Sequence, residues 1–156
     1  MAELRIGLGV DAHAFADGVA LVLGGVPVDH PRGLAGHSDG DVIVHALIDA
    51  VLGAAGLGDI GSVFPSDEST PAGIDSLELL RDAYGRVRAD GWEVVNADCV
   101  LIGQEPRIAD LRGEMETRLS RVVAAPVSVR ATTTDRLGFT GRGEGLAAQA
   151  VALLSR

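Results

Sequence analysis

Two imidazoles and a carboxylate stand where a single ion could gather them. Asp11-Ala12-His13 follows an alternating apolar run, and in extended backbone residues two apart point to the same side. His45 lies in a stretch with helical spacing, one turn after Asp41 and one turn before Asp49. Asp11, His13 and His45 make three protein ligands with a fourth position open, the donor set of a catalytic zinc site. Asp49 is spaced to orient His45 from behind. The tripeptide alone is unspecific, and a lone helical histidine is usually a packing or surface residue.

Other residues offer phosphate chemistry. His37-Ser38 stands before the same helical stretch, where free backbone N–H groups and the helix dipole favour anions. The alternative for Ser38 is a plain cap. Ala131-Thr132-Thr133-Thr134-Asp135 precedes Leu137-Gly138-Phe139-Thr140-Gly141-Arg142-Gly143-Glu144-Gly145. Its hydroxyls and glycine N–H groups suit a diphosphate, and Asp135 could hold a hard cation such as Mg²⁺. A capped turn would use the same residue types. Gly58-Asp59-Ile60-Gly61 suits sugar hydroxyls or a helix exit. The sequence contains no lysine, which rules out Schiff-base and P-loop lysine chemistry. Cys99 sits in an apolar run and reads as a buried small hydrophobe.

Elements must position these groups. Leu4–Val10 alternates as a strand, and Ala20–Val28 reads as a hairpin turning at Gly24-Gly25. Residues 31–36 form a turn. Ser38 to about Ala55 has helical spacing, with Ser38 or Asp39 as cap and Asp39 and Asp41 in the first turn. Phe64 to Gly73, interrupted by Pro65 and Pro71, reads as a mobile loop over a site. A second amphipathic helix runs from Ser76 towards Gly91, and Trp92–Ile102 follows as a strand. A third helix is expected from Pro106 to about Val122, then a strand over Val127–Ala131. The segment Gly145–Leu154 is helical by propensity.

The whole reads as one domain over residues 1–156, α/β with α+β layering, helices on one face of a sheet. An uncovered apolar sheet face would call for self-association. Apolar residues make up 47% and aromatics 3%, so the core is aliphatic and few rings are available to stack on bases. The net charge of −9 disfavours nucleic acid. No signal-peptide pattern or long apolar span is evident, so a cytoplasmic protein without membrane association is expected.

Taken together, these blocks resemble the 2-C-methyl-D-erythritol 2,4-cyclodiphosphate synthase family. His37-Ser38-Asp39-Gly40-Asp41 with His45 resembles its HSDGD…H signature, and Gly7 to His13 its opening G-x-G-x-D-x-H. Gly58 to Gly61 and Phe64-Pro65 match the next block, and Ala131–Arg142 resembles ATTTE-x-LGFTGRGEG, all in family order along nearly the whole chain. The resemblance implies a homotrimer, its sheets packed around the three-fold axis and its active sites between subunits. It favours a final strand at Gly145–Leu154. It implies zinc or a similar divalent metal on Asp11, His13 and His45, and Mg²⁺ or Mn²⁺ on Asp135.

By the same resemblance, His37, Thr133 and Asp135 are catalytic. His37, Ser38, Asp59, Ile60 and Gly61 meet the methylerythritol phosphate end of the substrate, and Asp11, His13, Phe64 and Asp67 are also substrate-binding. Gly103, Pro106, Arg107, Thr132, Thr133, Thr134 and Asp135 meet its cytidine and diphosphate, and Phe139 and Arg142 also contact ligand. The implied reaction converts 4-diphosphocytidyl-2-C-methyl-D-erythritol 2-phosphate to the cyclic diphosphate and CMP, in the non-mevalonate isoprenoid pathway. Three positions depart from the pattern: Asp135 replaces the usual Glu, Arg107 replaces a Lys, and Val10 replaces an aromatic. Two other readings use part of these residues. A metal-dependent phosphohydrolase needs the Asp/His/His set without the threonines, and a non-catalytic isoprenoid-diphosphate-binding trimer needs neither in full.

Overall fold

The computed structural model describes all 156 residues. In chain order the elements are β1 (Leu4–Ala16), β2 (Leu21–Leu23), β3 (Val26–Val28), β4 (Gly33–Leu34), α1 (Val42–Ala55) and α2 (Ile60–Val63). They continue with α3 (Ser76–Ala89), β5 (Glu93–Ile102), α4 (Arg112–Val123), β6 (Val127–Thr132), α5 (Gly138–Gly141) and β7 (Gly145–Ser155). One sheet has the order β4-β1-β7-β5-β6; β2 and β3 pair as a separate hairpin. Its pairs are antiparallel except β5 with β6, which α4 connects as a crossover.

The three long helices lie on one face, giving the layered α/β architecture. Helix α1 packs on β1, β7 and β5, with α3 beside it, while α4 covers β6. The α1–β1 contact is close because β1 presents glycine there. A Cβ on Gly9 would stand 1.8 Å from the Ala46 carbonyl oxygen, and one on Gly7 would stand 2.0 Å from that of Ala50. Strand β7 buries Leu146, Ala148, Ala150, Ala152 and Leu154 beneath the helices. This strict alternation makes a strand of a segment whose alanines favour helix, and their small side chains admit α1.

The opposite face carries Leu4, Ile6, Leu8, Val10 and Val151, all exposed, with Ile6 at 75%. No helix is long and apolar enough to cross a membrane.

Several expected boundaries move. Strand β1 continues to Ala16, so Asp11 and His13 sit within it rather than after it. Helix α1 begins at Val42 and is capped by Asp41, whose carboxylate accepts from Val44 N. Ser38 and Asp39 therefore precede the helix instead of capping it. Asp41 also accepts from the N–H groups of Gly24 (2.9 Å) and Gly25 (2.7 Å), fastening the β2–β3 turn to α1. Helix α4 starts at Arg112, not Pro106; residues 106–109 wall a cavity and bury Ile108. The 31–36 turn contains β4.

Candidate metal centre and substrate site

The donor atoms of Asp11, His13 and His45 converge. Asp11 Oδ2 lies 2.8 Å from His13 Nε2 and 3.1 Å from His45 Nδ1, and the two nitrogens are 3.1 Å apart. Donors about 2.0–2.2 Å from one zinc ion in a tetrahedron would lie about 3.4 Å from each other, close to this triangle. His13 Nδ1 donates to the Ala35 carbonyl at 2.6 Å, which leaves Nε2 as a lone pair. His45 Nε2 meets the hydroxyls of Ser38 and Ser76, each at 2.9 Å, so Nδ1 is the atom turned inward. Two nitrogen lone pairs and a carboxylate facing one point repel each other unless a cation or proton lies between them, so the donor set fits a divalent ion.

Without an ion, hydrogens between these groups take its place. Burial pushes the Asp11 carboxyl up, but the hydrogen bonds and charge of His13 and His45 outweigh it and hold the group down at about 2. His13 is raised by its hydrogen bond to Asp11, against the opposing effect of burial.

These ligands line a cavity of about 160 Å³ with His37, Ser38, Ile60, Gly61 and Phe64 among its walls. Ser66, Thr70 and Leu79 also line it, and no sequence signal marks them. Asp59 caps α2, accepting from Ser62 N at 2.8 Å. Asp67 is exposed, accepts from Ser69, and does not line this cavity.

The segment between α2 and α3 has no regular structure but is docked. His37 Nε2 donates to the Thr70 carbonyl at 2.5 Å, Gly73 N to the His37 carbonyl at 2.7 Å, and Asp39 N to the Ile74 carbonyl at 3.1 Å. Asp49 does not orient His45: its Oδ1 accepts from Ile60 N at 2.7 Å and so holds the start of α2.

The threonine segment lies at the far edge of the sheet, beyond β6. Thr132 and Thr133 line a cavity of about 340 Å³ with Gly103, Pro106, Arg107 and Arg112. Thr134 Oγ1 turns away, donating to the Leu137 carbonyl at 2.6 Å. Asp135 is exposed in the left-handed region at φ 52°, with Thr133 Oγ1 3.3 Å from its carboxylate. Arg142 lines a third cavity, of about 550 Å³, with Arg32, Arg107 and Arg136; Phe139 is 44% exposed and lines none of the three. One chain thus brings together the metal ligands with His37, Ser38, Ile60, Gly61 and Phe64. It leaves Thr132, Thr133, Gly103, Pro106 and Arg107 at a different cavity.

The YgbB family model matches residues 4–155. The chain belongs to the YgbB family. Among similar members, the 2-C-methyl-D-erythritol 2,4-cyclodiphosphate synthase of Alkalilimnicola ehrlichii is 55% identical over 157 residues, covering 98% of this chain and 96% of that one. The synthase of the same name from Rubrobacter xylanophilus is 56% identical over 162 residues, covering 100% and 98%. The solved CDP complex of IspF from Plasmodium falciparum superposes with a TM-score of 0.83 at 32% identity, covering 97% of this chain and 95% of that one. This YgbB chain is accordingly an enzyme of lyase type in isoprenoid biosynthesis, and its Asp11, His13 and His45 form a donor set that fits a divalent metal.

Proposed function

We propose that this chain closes 4-diphosphocytidyl-2-C-methyl-D-erythritol 2-phosphate into 2-C-methyl-D-erythritol 2,4-cyclodiphosphate and releases CMP. The observation that carries this reading is the convergence of Asp11 Oδ2, His13 Nε2 and His45 Nδ1 on the floor of a cavity rimmed by His37 and Ser38. In the reaction, an oxygen of the 2-phosphate bonds to the β-phosphorus and the bond from that phosphorus to CMP breaks. No water is consumed and no protein nucleophile is needed, which suits a site without lysine and with a cysteine that burial pushes up to about 12.

Asp11, His13 and His45 hold zinc in this reading, and Asp135 holds Mg²⁺ or Mn²⁺. Divalent ions so held supply the positive charge that two approaching phosphates require. The protein's own part is placement. His37, with Nε2 donating to Thr70, can donate to phosphate only through Nδ1 of a doubly protonated ring, and Ser38 adds a hydroxyl. Ile60, Gly61 and Phe64, which line the cavity of the metal ligands, receive the methylerythritol end, and Asp59 and Asp67 are proposed at the same end outside its walls. Gly103, Pro106 and Arg107 receive cytidine, and Thr132, Thr133, the backbone of Thr134 and Asp135 the diphosphate, with Phe139 and Arg142 as further ligand contacts outside the cavity that Thr132 and Thr133 line. Thr133 and His37 stabilise charge as the phosphoryl group moves.

The metal ligands lie near one edge of the sheet and the threonines at the other, so the complete site is read as spanning two chains. A homotrimer joined through the open face of Leu4, Ile6, Leu8, Val10 and Val151 supplies that second chain and covers apolar surface. Residues 1–156 act as one domain in each subunit, and the cytoplasm is the expected compartment. Phosphorus NMR of the purified protein with the cytidyl substrate and Mg²⁺ tests the reaction. Cyclic diphosphate with CMP is expected; a linear phosphate product or no turnover contradicts it.

A further inference from the structure

We infer that Ser76, held by Asp39, is a positioning residue for the ligand His45: it fixes the ring nitrogen that carries hydrogen, and thereby the one left to bind metal. The inference rests on the reading of Asp11, His13 and His45 as a metal site. Ser76 is fully buried at the first position of α3, far from the metal ligands in sequence. Its hydroxyl makes a short hydrogen bond to Asp39 Oδ1, and its backbone N–H reaches Asp39 Oδ2 at 3.0 Å. Asp39 Oδ1 also accepts from Asp41 N at 3.0 Å, so the carboxylate is anchored on both sides of the site.

The direction of the chain follows from the groups. An ionised carboxylate only accepts, so the single hydroxyl hydrogen of Ser76 points to Asp39. Ser76 Oγ can then offer His45 Nε2 only a lone pair, at 2.9 Å. Nε2 must therefore carry the ring hydrogen, and Nδ1 faces Asp11 Oδ2 as a bare lone pair. Without Ser76 a rival state opens. Nδ1 could carry the hydrogen and donate it to Asp11 at 3.1 Å, which occupies the ligand atom and satisfies the carboxylate at once.

Ser38 does not substitute for Ser76. Its hydroxyl also lies 2.9 Å from His45 Nε2, but Ser38 is half-buried and lines the cavity, where substrate phosphate competes for it. Ser76 has no such competitor. Asp39 N is bonded to the Ile74 carbonyl as well, so the docked 64–75 segment and the metal ligand share one support.

The test measures zinc affinity by chelator competition for the wild-type protein, Ser76→Ala and Ser76→Thr, alongside thermal unfolding of each in excess chelator. Ser76→Ala is expected to bind zinc about 10- to 100-fold more weakly. Its unfolding in chelator should match that of the wild type, kcat should return at saturating zinc, and Ser76→Thr should recover affinity. A wild-type protein that binds no zinc overturns the metal reading. A wild type that binds zinc and a Ser76→Ala variant of equal affinity overturn only this inference, as does weaker binding that merely tracks a lower unfolding temperature. Nitrogen-15 NMR of the wild-type histidines in chelator gives an answer that requires no variant to fold. Hydrogen on His45 Nε2 is expected, and a ring whose only hydrogen is on Nδ1 overturns the inference.

Discussion

The metal corner and the threonine edge are built on opposite terms. At the corner every part has a partner within the chain. His13 is fixed by Ala35, His45 by Ser38 and Ser76, His37 by Thr70, and β1 is pressed onto α1 through glycine. At the edge, Thr132, Thr133 and Asp135 are exposed, and both Asp135 and Arg136 hold positive φ without being glycine. Such backbone costs of order 1–3 kcal/mol per residue and persists where surroundings or function require it. The corner is preorganised within one chain; on the proposed reading the edge is a half-site, completed by substrate and a neighbouring chain.

Substitutions should therefore separate the two regions. The largest loss is expected from His45→Ala, which removes a ligand from a prebuilt triangle. Metal content, read by elemental analysis, should fall to background and kcat by about a thousandfold or more. Retention of metal and rate would break the assignment. Gly9→Ala should injure the corner through the backbone, because its Cβ would enter the Ala46 carbonyl. Denaturant unfolding is expected to show a loss of about 3 kcal/mol or failure to fold. At the edge, Thr133→Val should lower kcat by about a hundredfold. Its effect on stability should stay within about 0.5 kcal/mol, because the hydroxyl braces nothing in the core.

The smallest effect concerns Asp41, beneath the corner. Burial pushes its carboxyl up to about 6 from 3.8, although the N–H groups of Gly25, Val44 and Gly24 pull the other way. The folded chain thus keeps this proton to higher pH than the unfolded chain does. The associated stability is full below pH 3.8 and is lost as pH rises to about 6. Asp41→Asn, which turns an amide hydrogen towards one of these N–H groups, should cost about 1–3 kcal/mol at pH 4 and less at pH 7. Urea unfolding at the two pH values reads the difference; a gap that widens with pH would contradict it.

Much of the architecture was legible in the sequence, for physical reasons. Helix α3 carries its period openly because it packs one face against the core; β1 shows its alternation through the apolar residues of its open face, and α1, buried nearly all round, is marked by its length and its glycine-rich stop. Strand β7 did not show itself through propensity, since alanine favours helix; its alanines are there to let α1 approach, a tertiary demand. Helix α4 starts at Arg112 and not at Pro106 because residues 106–109 bury Ile108 while walling a cavity, a pattern that imitates the first turn of a helix. In the site, the spacing of Asp11, His13 and His45 was visible, yet Asp49 looked like the partner of His45. It is one helical turn away but faces α2. The true contact, Ser76, stands 31 positions away on another helix, and no local pattern announces such a contact.

The most direct test of the account mixes two defective chains. His45→Ala and Asp135→Ala should each be nearly inactive alone, by phosphorus NMR of cyclic diphosphate formation. Denatured together in equal amounts and refolded with zinc and Mg²⁺, they should recover about a quarter of wild-type activity. That is the share of chain pairs in which an intact metal corner meets an intact threonine edge. A mixture no more active than its parts would contradict a site shared between two chains.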